Sequence, residues 1–273
     1  MIHRADSPGD LLDQQTDMFT EATSLEGLVG IITGAGRGIG RAYCQAFAKA
    51  GAVLVVAEID PETGKRTADE IRNAGGEALF VETDVRKKLS VEAMVQRALE
   101  TYGHIDFLIN NAGLARESPA TEISEADWRD IIDVNLSGTF FCCQAVGRHM
   151  IENGGGSIVN IASISGLVAN RGRMHVSYNV AKAGVVNLTK MLACEWAEHG
   201  IRVNGIAPGY VASEKIKPVL EDPSFGPEVF RWTPMGRAGR PEEIAPLAMF
   251  LVSAASSFMT GTTVVIDGGF TSW

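Results

Sequence analysis

The chain has 273 residues, 45% of them apolar, with a formal net charge of −9. That length supports one large core in a single domain, and the acidic balance, with no basic block of five or more residues, argues against nucleic acid as a partner. No apolar run approaches the ~18 residues of a membrane span, which leaves small molecules and further copies of the chain as the expected partners.

Residues 1–24 are polar and turn-rich, with Pro8-Gly9, and read as a flexible arm; the fold is expected to begin near Leu25. An apolar run at 28–32 predicts a buried strand, followed by a glycine turn, Thr33-Gly34-Ala35-Gly36-Arg37-Gly38-Ile39-Gly40, and a helix over 41–50. The second strand, 53–57, ends at Glu58, and Pro61 opens a helix to residue 73 that Gly75-Gly76 stops. A strand over 78–81 leads to Thr83-Asp84-Val85, and a helix over 90–102 closes at Gly103. A fourth strand over 105–109 runs into Asn110-Asn111-Ala112-Gly113, and 121–147 reads as mostly helical with a break near Ile123 and Ser124. The pattern continues with a strand at 157–161, a long helix over 178–199 and a strand at 202–206. Irregular patterning and prolines mark 210–240 as a lid over the substrate, before a helix at 242–251 and a last strand at 263–266. Short apolar strands alternating with helices predict an α/β fold: a Rossmann-like, doubly wound parallel sheet of about seven strands with helices on both faces. No linker divides it, so 25–273 form one catalytic domain with ligands at the carboxyl ends of the strands.

Strand, glycine turn and helix together bring backbone N–H groups and a helix N-terminus to a pyrophosphate, which predicts a dinucleotide cofactor. Glu58 at the end of the second strand can accept hydrogen bonds from ribose hydroxyls and repels a 2′-phosphate, favouring NAD; Arg37 beside the turn pulls the other way. Tyr178 and Lys182 stand at i and i+4 on one helix face. A neighbouring cation lowers a phenol's pKa, so this pair suits proton exchange with an alcohol or carbonyl as hydride moves. Ser163, just past the fifth strand, is placed to hold a substrate oxygen, with Ser165 as its rival. Asn135 is polar within an apolar helical run: its amide satisfies backbone groups at a bend, or it holds a water for Lys182, or both. Cys44, Cys142, Cys143 and Cys194 lack metal-ligand spacing and read as reduced, mostly buried thiols of a cytoplasmic protein. No two of the five histidines are spaced at i and i+4, so no metal is expected.

These separated motifs (33–40, Asn110-Asn111-Ala112-Gly113, Asn135, Ser163, Tyr178-x-x-x-Lys182 and Pro208-Gly209), in this order over about 25–270, resemble the short-chain dehydrogenase/reductase family. The resemblance implies a nicotinamide-dependent oxidoreductase with Asn135, Ser163, Tyr178 and Lys182 as the catalytic set. It implies cofactor contacts from Gly34, Arg37, Gly38, Ile39, Gly40 and Glu58, and from Asp84 and Val85 at the adenine. Asn111, Ala112 and Gly113 would line the adenosine side, Tyr178 and Lys182 the nicotinamide ribose, and Pro208, Gly209, Val211 and Ser213 the carboxamide end. It also implies a homotetramer built on the long helices. Trp273, an apolar residue following the last strand, is separately a candidate interface anchor.

The stretch from Ser163 to Tyr178 is about two residues longer than in many relatives and carries Asn170-Arg171-Gly172-Arg173-Met174-His175. With Glu195-Trp196, it resembles the polyol and sugar-alcohol dehydrogenases and ketose reductases of the family. Ser165, Asn170, Arg171 and His175 are the expected substrate contacts, with Glu117 a further donor of polar groups. Arg171 or Arg173 would alternatively meet a sugar-acid carboxylate or the phosphate of a carrier-linked acyl group, or form only a surface ion pair. The expected reaction is hydride transfer between NAD(H) and a polyol or sugar alcohol; the alternative is a 3-oxoacyl-(carrier protein or coenzyme A) reductase.

Overall fold

The computed structural model describes residues 20–214 and 216–273. The expected arm falls outside that range up to residue 19, and residues 20–23 form a helical turn. Seven parallel strands make one sheet in the order β3-β2-β1-β4-β5-β6-β7. They are β1 (Val29–Thr33), β2 (Val53–Glu58), β3 (Ala78–Glu82), β4 (Phe107–Asn110), β5 (Gly156–Ile161), β6 (Ile201–Pro208) and β7 (Thr263–Ile266). The helices are α1 (Gly38–Lys49), α2 (Pro61–Asn73), α3 (Lys88–Tyr102), α4 (Glu125–Ile132), α5 (Gly138–Glu152), α6 (Val176–Trp196), α7 (Lys217–Leu220), α8 (Gly226–Trp232) and α9 (Pro241–Val252).

Side chains of successive strand residues point to opposite faces, and two cores result. Ile32, Leu54, Val56, Phe107 and Ile109 pack against Tyr43 and Phe47 of α1 and Ala248 and Leu251 of α9. Their neighbours Ile31, Val55, Ala57 and Leu108 pack against Met94 of α3, Val146 of α5 and Trp196 of α6. The inner strands are therefore buried on both faces and mostly apolar, with Asn110, Asn160 and Asn204 as buried polar exceptions, as a sheet covered on both sides allows.

Local chemistry sets the element ends. Asp60 caps α2, accepting from the Glu62 N–H at 3.1 Å with Pro61 in the first turn. Ser124 caps α4 by accepting from the Asp127 N–H at 3.0 Å, which is where the sequence suggested a restart. From Glu125 the helix continues to Glu152 rather than ending near Gly147, through a π-turn over Asp133–Ser137. The sixth strand is longer than expected because Gly205 to Pro208 pair with Thr263 to Ile266. The 210–240 segment contains the two short helices α7 and α8.

The strand order turns at β1, which pairs with β2 on one side and β4 on the other, Ile31 lying between Val55 and Leu108. A crevice at the carboxyl ends of β1 and β4 follows from that switch. Its floor is tied together: Asn111 and Ala112 N–H donate to Thr33 Oγ1 at 3.0 and 3.1 Å, and Asn111 Nδ2 donates to the Thr33 and Gly34 carbonyls at 3.0 Å.

Candidate active site

The glycine turn is built for close backbone approach. Gly34 has φ +61°, which L side chains rarely adopt. A Cβ on Gly40 would lie 2.1 Å from the Gly34 carbonyl oxygen, so α1 packs on the turn only with glycine there. No side chain caps α1 and no acidic residue stands in its first turn. Its first N–H groups are thus left for an anion, the arrangement a pyrophosphate fits. Arg37 is exposed at the turn.

Glu58 is buried, and its carboxylate is oriented by backbone N–H donors: Gly36 on Oε2 at 2.9 Å, Ile59 and Asp60 on Oε1 at 2.9 and 3.2 Å. The acidic group sequence reasoning assigned to ribose recognition therefore stands rigidly beside the glycine turn. Asp84 has a different immediate partner from the adenine reading. Both its oxygens accept from Arg86 at 2.9 Å, and that guanidinium holds its carboxyl below the usual range. Val85 is buried against Gly138 at the start of α5.

The candidate catalytic side chains converge from three elements. Tyr178 and Lys182 lie in the first turns of α6, with the Lys182 ammonium 5.6 Å from the Tyr178 ring centre. Lys182 is buried and donates to the Ile161 carbonyl at 2.7 Å, at the end of β5. Ser163 follows that strand; its Oγ accepts the Ser165 N–H at 3.1 Å, and its side chain stands beside the Tyr178 phenol. Burial pushes the phenol pKa up, and the neighbouring Ser163 hydroxyl opposes it. This amends the expectation of a phenol lowered chiefly by Lys182: without ligand, Tyr178 is a neutral donor at physiological pH.

Asn135 sits in the π-turn, fully buried. Its Nδ2 donates to the Leu114 and Ile131 carbonyls at 2.6 and 2.9 Å, and its Oδ1 accepts from the Leu114 N–H at 3.3 Å. Of the two readings of this residue, the amide does satisfy backbone groups at a bend. It braces the segment after β4 against the helix, and a Cβ on Gly113 would lie 3.1 Å from its Oδ1 and 3.8 Å from Lys182 Nζ.

A cavity of about 230 Å³ opens beside these groups. Ser163, Tyr178 and Lys182 line it with Ser165, Asn170 and His175. It extends past Ile39, Gly113, Pro208, Gly209, Val211 and Ser213, joining the catalytic groups to the glycine turn. Arg171 is a correction: it is not among the lining residues, because its guanidinium stacks on Trp232 at 4.1 Å. Arg173, two residues on, lines the cavity instead and pairs with Glu117. Sequence reasoning missed Tyr210, which also lines it and packs edge-on against Phe225 and Phe270. An aromatic residue directly after Pro208-Gly209 was the available signal.

The His175 tautomer is set by its neighbours. Asn179 Nδ2 donates to the Val168 carbonyl at 3.2 Å and to Asn170 Oδ1 at 3.4 Å, which turns its Oδ1 to His175 Nδ1 at 2.5 Å. Nδ1 must then carry the proton, and Nε2 remains an acceptor. Burial lowers the His175 pKa, keeping the ring neutral.

Comparison with known proteins agrees with this geometry. A family model described as Enoyl-(Acyl carrier protein) reductase matches residues 34–271. The chain is 41% identical over 249 residues to galactitol 2-dehydrogenase (L-tagatose-forming) of Cereibacter sphaeroides, covering 91% of this chain and 97% of that one. It is 38% identical over 255 residues to 2-dehydro-3-deoxy-D-gluconate 5-dehydrogenase of Escherichia coli (strain K12), covering 93% and 99%. Among solved structures it resembles a gluconate 5-dehydrogenase from Burkholderia cenocepacia J2315 in complex with NADP and tartrate, with a TM-score of 0.89, 37% identity and coverage of 93% and 99%. With its motifs gathered at one strand edge and these similarities spanning nearly all of it, the chain belongs to the short-chain dehydrogenase/reductase family and is an NAD(P)-dependent oxidoreductase.

Proposed function

We propose that the protein interconverts a secondary alcohol and a ketone on a small polyhydroxylated substrate, a sugar alcohol or sugar acid, with NAD(H) as its cofactor. The observation that carries this reading is the cavity itself. It is lined by the Tyr178 phenol and Ser163 together with Ser165, Asn170, Arg173 and His175. Polar groups fixed around so small a volume select a substrate that can pair with each of them. The relatives named for galactitol, 2-dehydro-3-deoxy-D-gluconate and gluconate support the same class.

Gly34, Arg37, Gly38, Ile39 and Gly40 would hold the pyrophosphate, Glu58 the adenosine ribose, and Asp84 and Val85 the adenine. Asn111, Ala112 and Gly113 would flank the adenosine side. Tyr178 and Lys182 would take the nicotinamide ribose, with Pro208, Gly209, Val211 and Ser213 at the carboxamide. When bound, the nicotinamide supplies or accepts the hydride. In ketone reduction Ser163 orients the carbonyl oxygen and Tyr178 donates its phenolic proton to it; alcohol oxidation runs the same proton backwards. Lys182, beside the ring, favours the phenolate in that direction. Asn135 holds the segment after β4, and with it Lys182's surroundings, in place. NAD is favoured by the buried carboxylate of Glu58, although the similar gluconate 5-dehydrogenase carries NADP. Segment 210–240 serves as the lid. A cytoplasmic homotetramer fits the free cysteines and the exposed Phe140, Val180 and Met191 on α5 and α6.

The test is nicotinamide absorbance against alditols, aldonates, 3-hydroxyacyl thioesters and a hydroxysteroid, each with NAD and NADP. Turnover of an alditol or aldonate, lost in Tyr178→Phe, supports the reading. Turnover of the thioester alone, with NADP, overturns it in favour of an acyl reductase.

A further inference from the structure

We propose that Arg173 determines specificity by binding a substrate carboxylate, so that the substrate is a polyhydroxylated monocarboxylic acid rather than a neutral polyol. The proposal rests on the alcohol–ketone reading above and narrows it.

Arg173 belongs to a surface loop, yet its side chain is only 11% exposed. Its Cζ lies 5.0 Å from the centre of the Phe225 ring, which holds the guanidinium in place. Glu117 meets it at Nε, from a side chain that is 42% exposed and is not among those lining the cavity. Among the described residues, no hydrogen-bond acceptor engages the two terminal amino groups of Arg173. A largely buried guanidinium whose terminal amino groups keep some solvent contact and have no protein acceptor is open to an acceptor from elsewhere.

The charge of the cavity points the same way. Its charged lining residues are Arg173 and Lys182, both cationic, and no carboxylate is among them. Lys182 is committed to the Ile161 carbonyl at the catalytic end. Arg173 therefore offers the cavity's other positive charge, and its planar fork matches a carboxylate with two parallel hydrogen bonds. A carboxylate there and a hydroxyl-bearing carbon at Tyr178 define the two ends of one small ligand. Asn170 and His175 also line the cavity and offer polar groups that can pair with hydroxyls. A carrier phosphate would also suit a guanidinium, but it brings a long acyl arm that about 230 Å³ does not enclose.

The test compares a six-carbon aldonate with the alditol obtained by reducing its carboxyl group, using the full-length enzyme with saturating cofactor. Wild type is expected to favour the aldonate in kcat/KM. Arg173→Gln is expected to cut the aldonate-to-alditol ratio by about 100-fold, mainly through the aldonate KM, the scale of losing a charged partner. Arg173→Lys should keep part of the preference, and Glu117→Gln should keep or increase it. A melting curve on each variant confirms folding. The proposal is overturned if Arg173→Gln lowers both substrates equally, if Glu117→Gln reproduces its effect, or if wild type oxidises the alditol and not the aldonate. Turnover of neither sugar, with activity on the hydroxyacyl thioester, marks failure of the underlying reading instead, and overturns both.

Discussion

Replacing Glu58 with Gln removes one charge from the cofactor end and leaves the shape almost unchanged. The carboxylate is fixed by three backbone N–H groups at 2.9 to 3.2 Å, so it does not swing away from an incoming phosphate. At an effective dielectric of about 20 and a separation of about 6 Å, each pair of like unit charges costs about 3 kcal/mol. A phosphate monoester carries about −1.5 to −2 charges, which brings the repulsion to about 5 kcal/mol. Salt screening and the exposed Arg37 return part of this, leaving about 2 kcal/mol, or about 30-fold in favour of NAD over NADP. The Gln variant should erase that margin, moving the ratio of kcat/KM values for the two cofactors by at least about 10-fold toward NADP. It should also lose about 1 to 2 kcal/mol of stability, because its amide nitrogen faces an N–H group that had an acceptor. The assay is cofactor kinetics on one substrate at low and high salt, with a melting curve alongside. A ratio that stays within about threefold of wild type in a folded variant refutes the electrostatic account.

Other substitutions test the remaining parts. Tyr178→Phe should lower kcat by about 10³-fold or more because the proton-carrying oxygen is removed, with a much smaller loss of cofactor affinity from the lost ribose contact; stopped-flow cofactor binding separates the two. Arg202, on β6, donates to the Leu251, Val252, Ser253 and Ser256 carbonyls at 2.9 to 3.2 Å and so closes the C-terminus of α9. Arg202→Met should cost about 3 kcal/mol, seen as a fall of about 9 °C in Tm. Burial pushes the Cys143 thiol up to about 12 and raises those of Cys44 and Cys142 further. Unfolded thiols ionise from pH about 9 while the folded ones keep their protons, so stability should fall above that pH by up to about 1.4 kcal/mol per unit per thiol. Urea titrations from pH 7 to about 11 on wild type and Cys143→Ala would show whether the slope shrinks in the variant.

The fold was legible because its signals are local and repeated. Apolar runs such as 53–57 and punctuation such as Pro61 and Gly103 each act within a few residues. The candidate catalytic pair was legible for a related reason: Tyr178 and Lys182 share a helix face whatever surrounds them. The polar end of the cavity was less so. Arg171 and Arg173 are both arginines in one loop, and only the packing of Trp232 against one and Phe225 against the other sends them to different places. Asp84 likewise reads as an adenine contact until Arg86 and Asp130 are seen beside it in an ion-pair network. The phenol's raised pKa depends on its burial in the cavity wall, a property of the assembled fold and not of any spacing.

The π-turn at Asp133–Ser137 amounts to one extra residue looped into what is otherwise a continuous helix from Glu125 to Glu152. Wide turns of this kind are rarer and weaker than α-turns and gather at functional sites. Deleting one residue here would let the flanking helices fuse with their apolar faces still in register, and the helix would gain ordinary hydrogen bonds. The same deletion would withdraw Asn135 from Leu114 and slacken the wall beside Lys182. Selection for thermal robustness alone would therefore work against the brace that Asn135 provides, and any stabilisation campaign should leave the 133–137 stretch untouched.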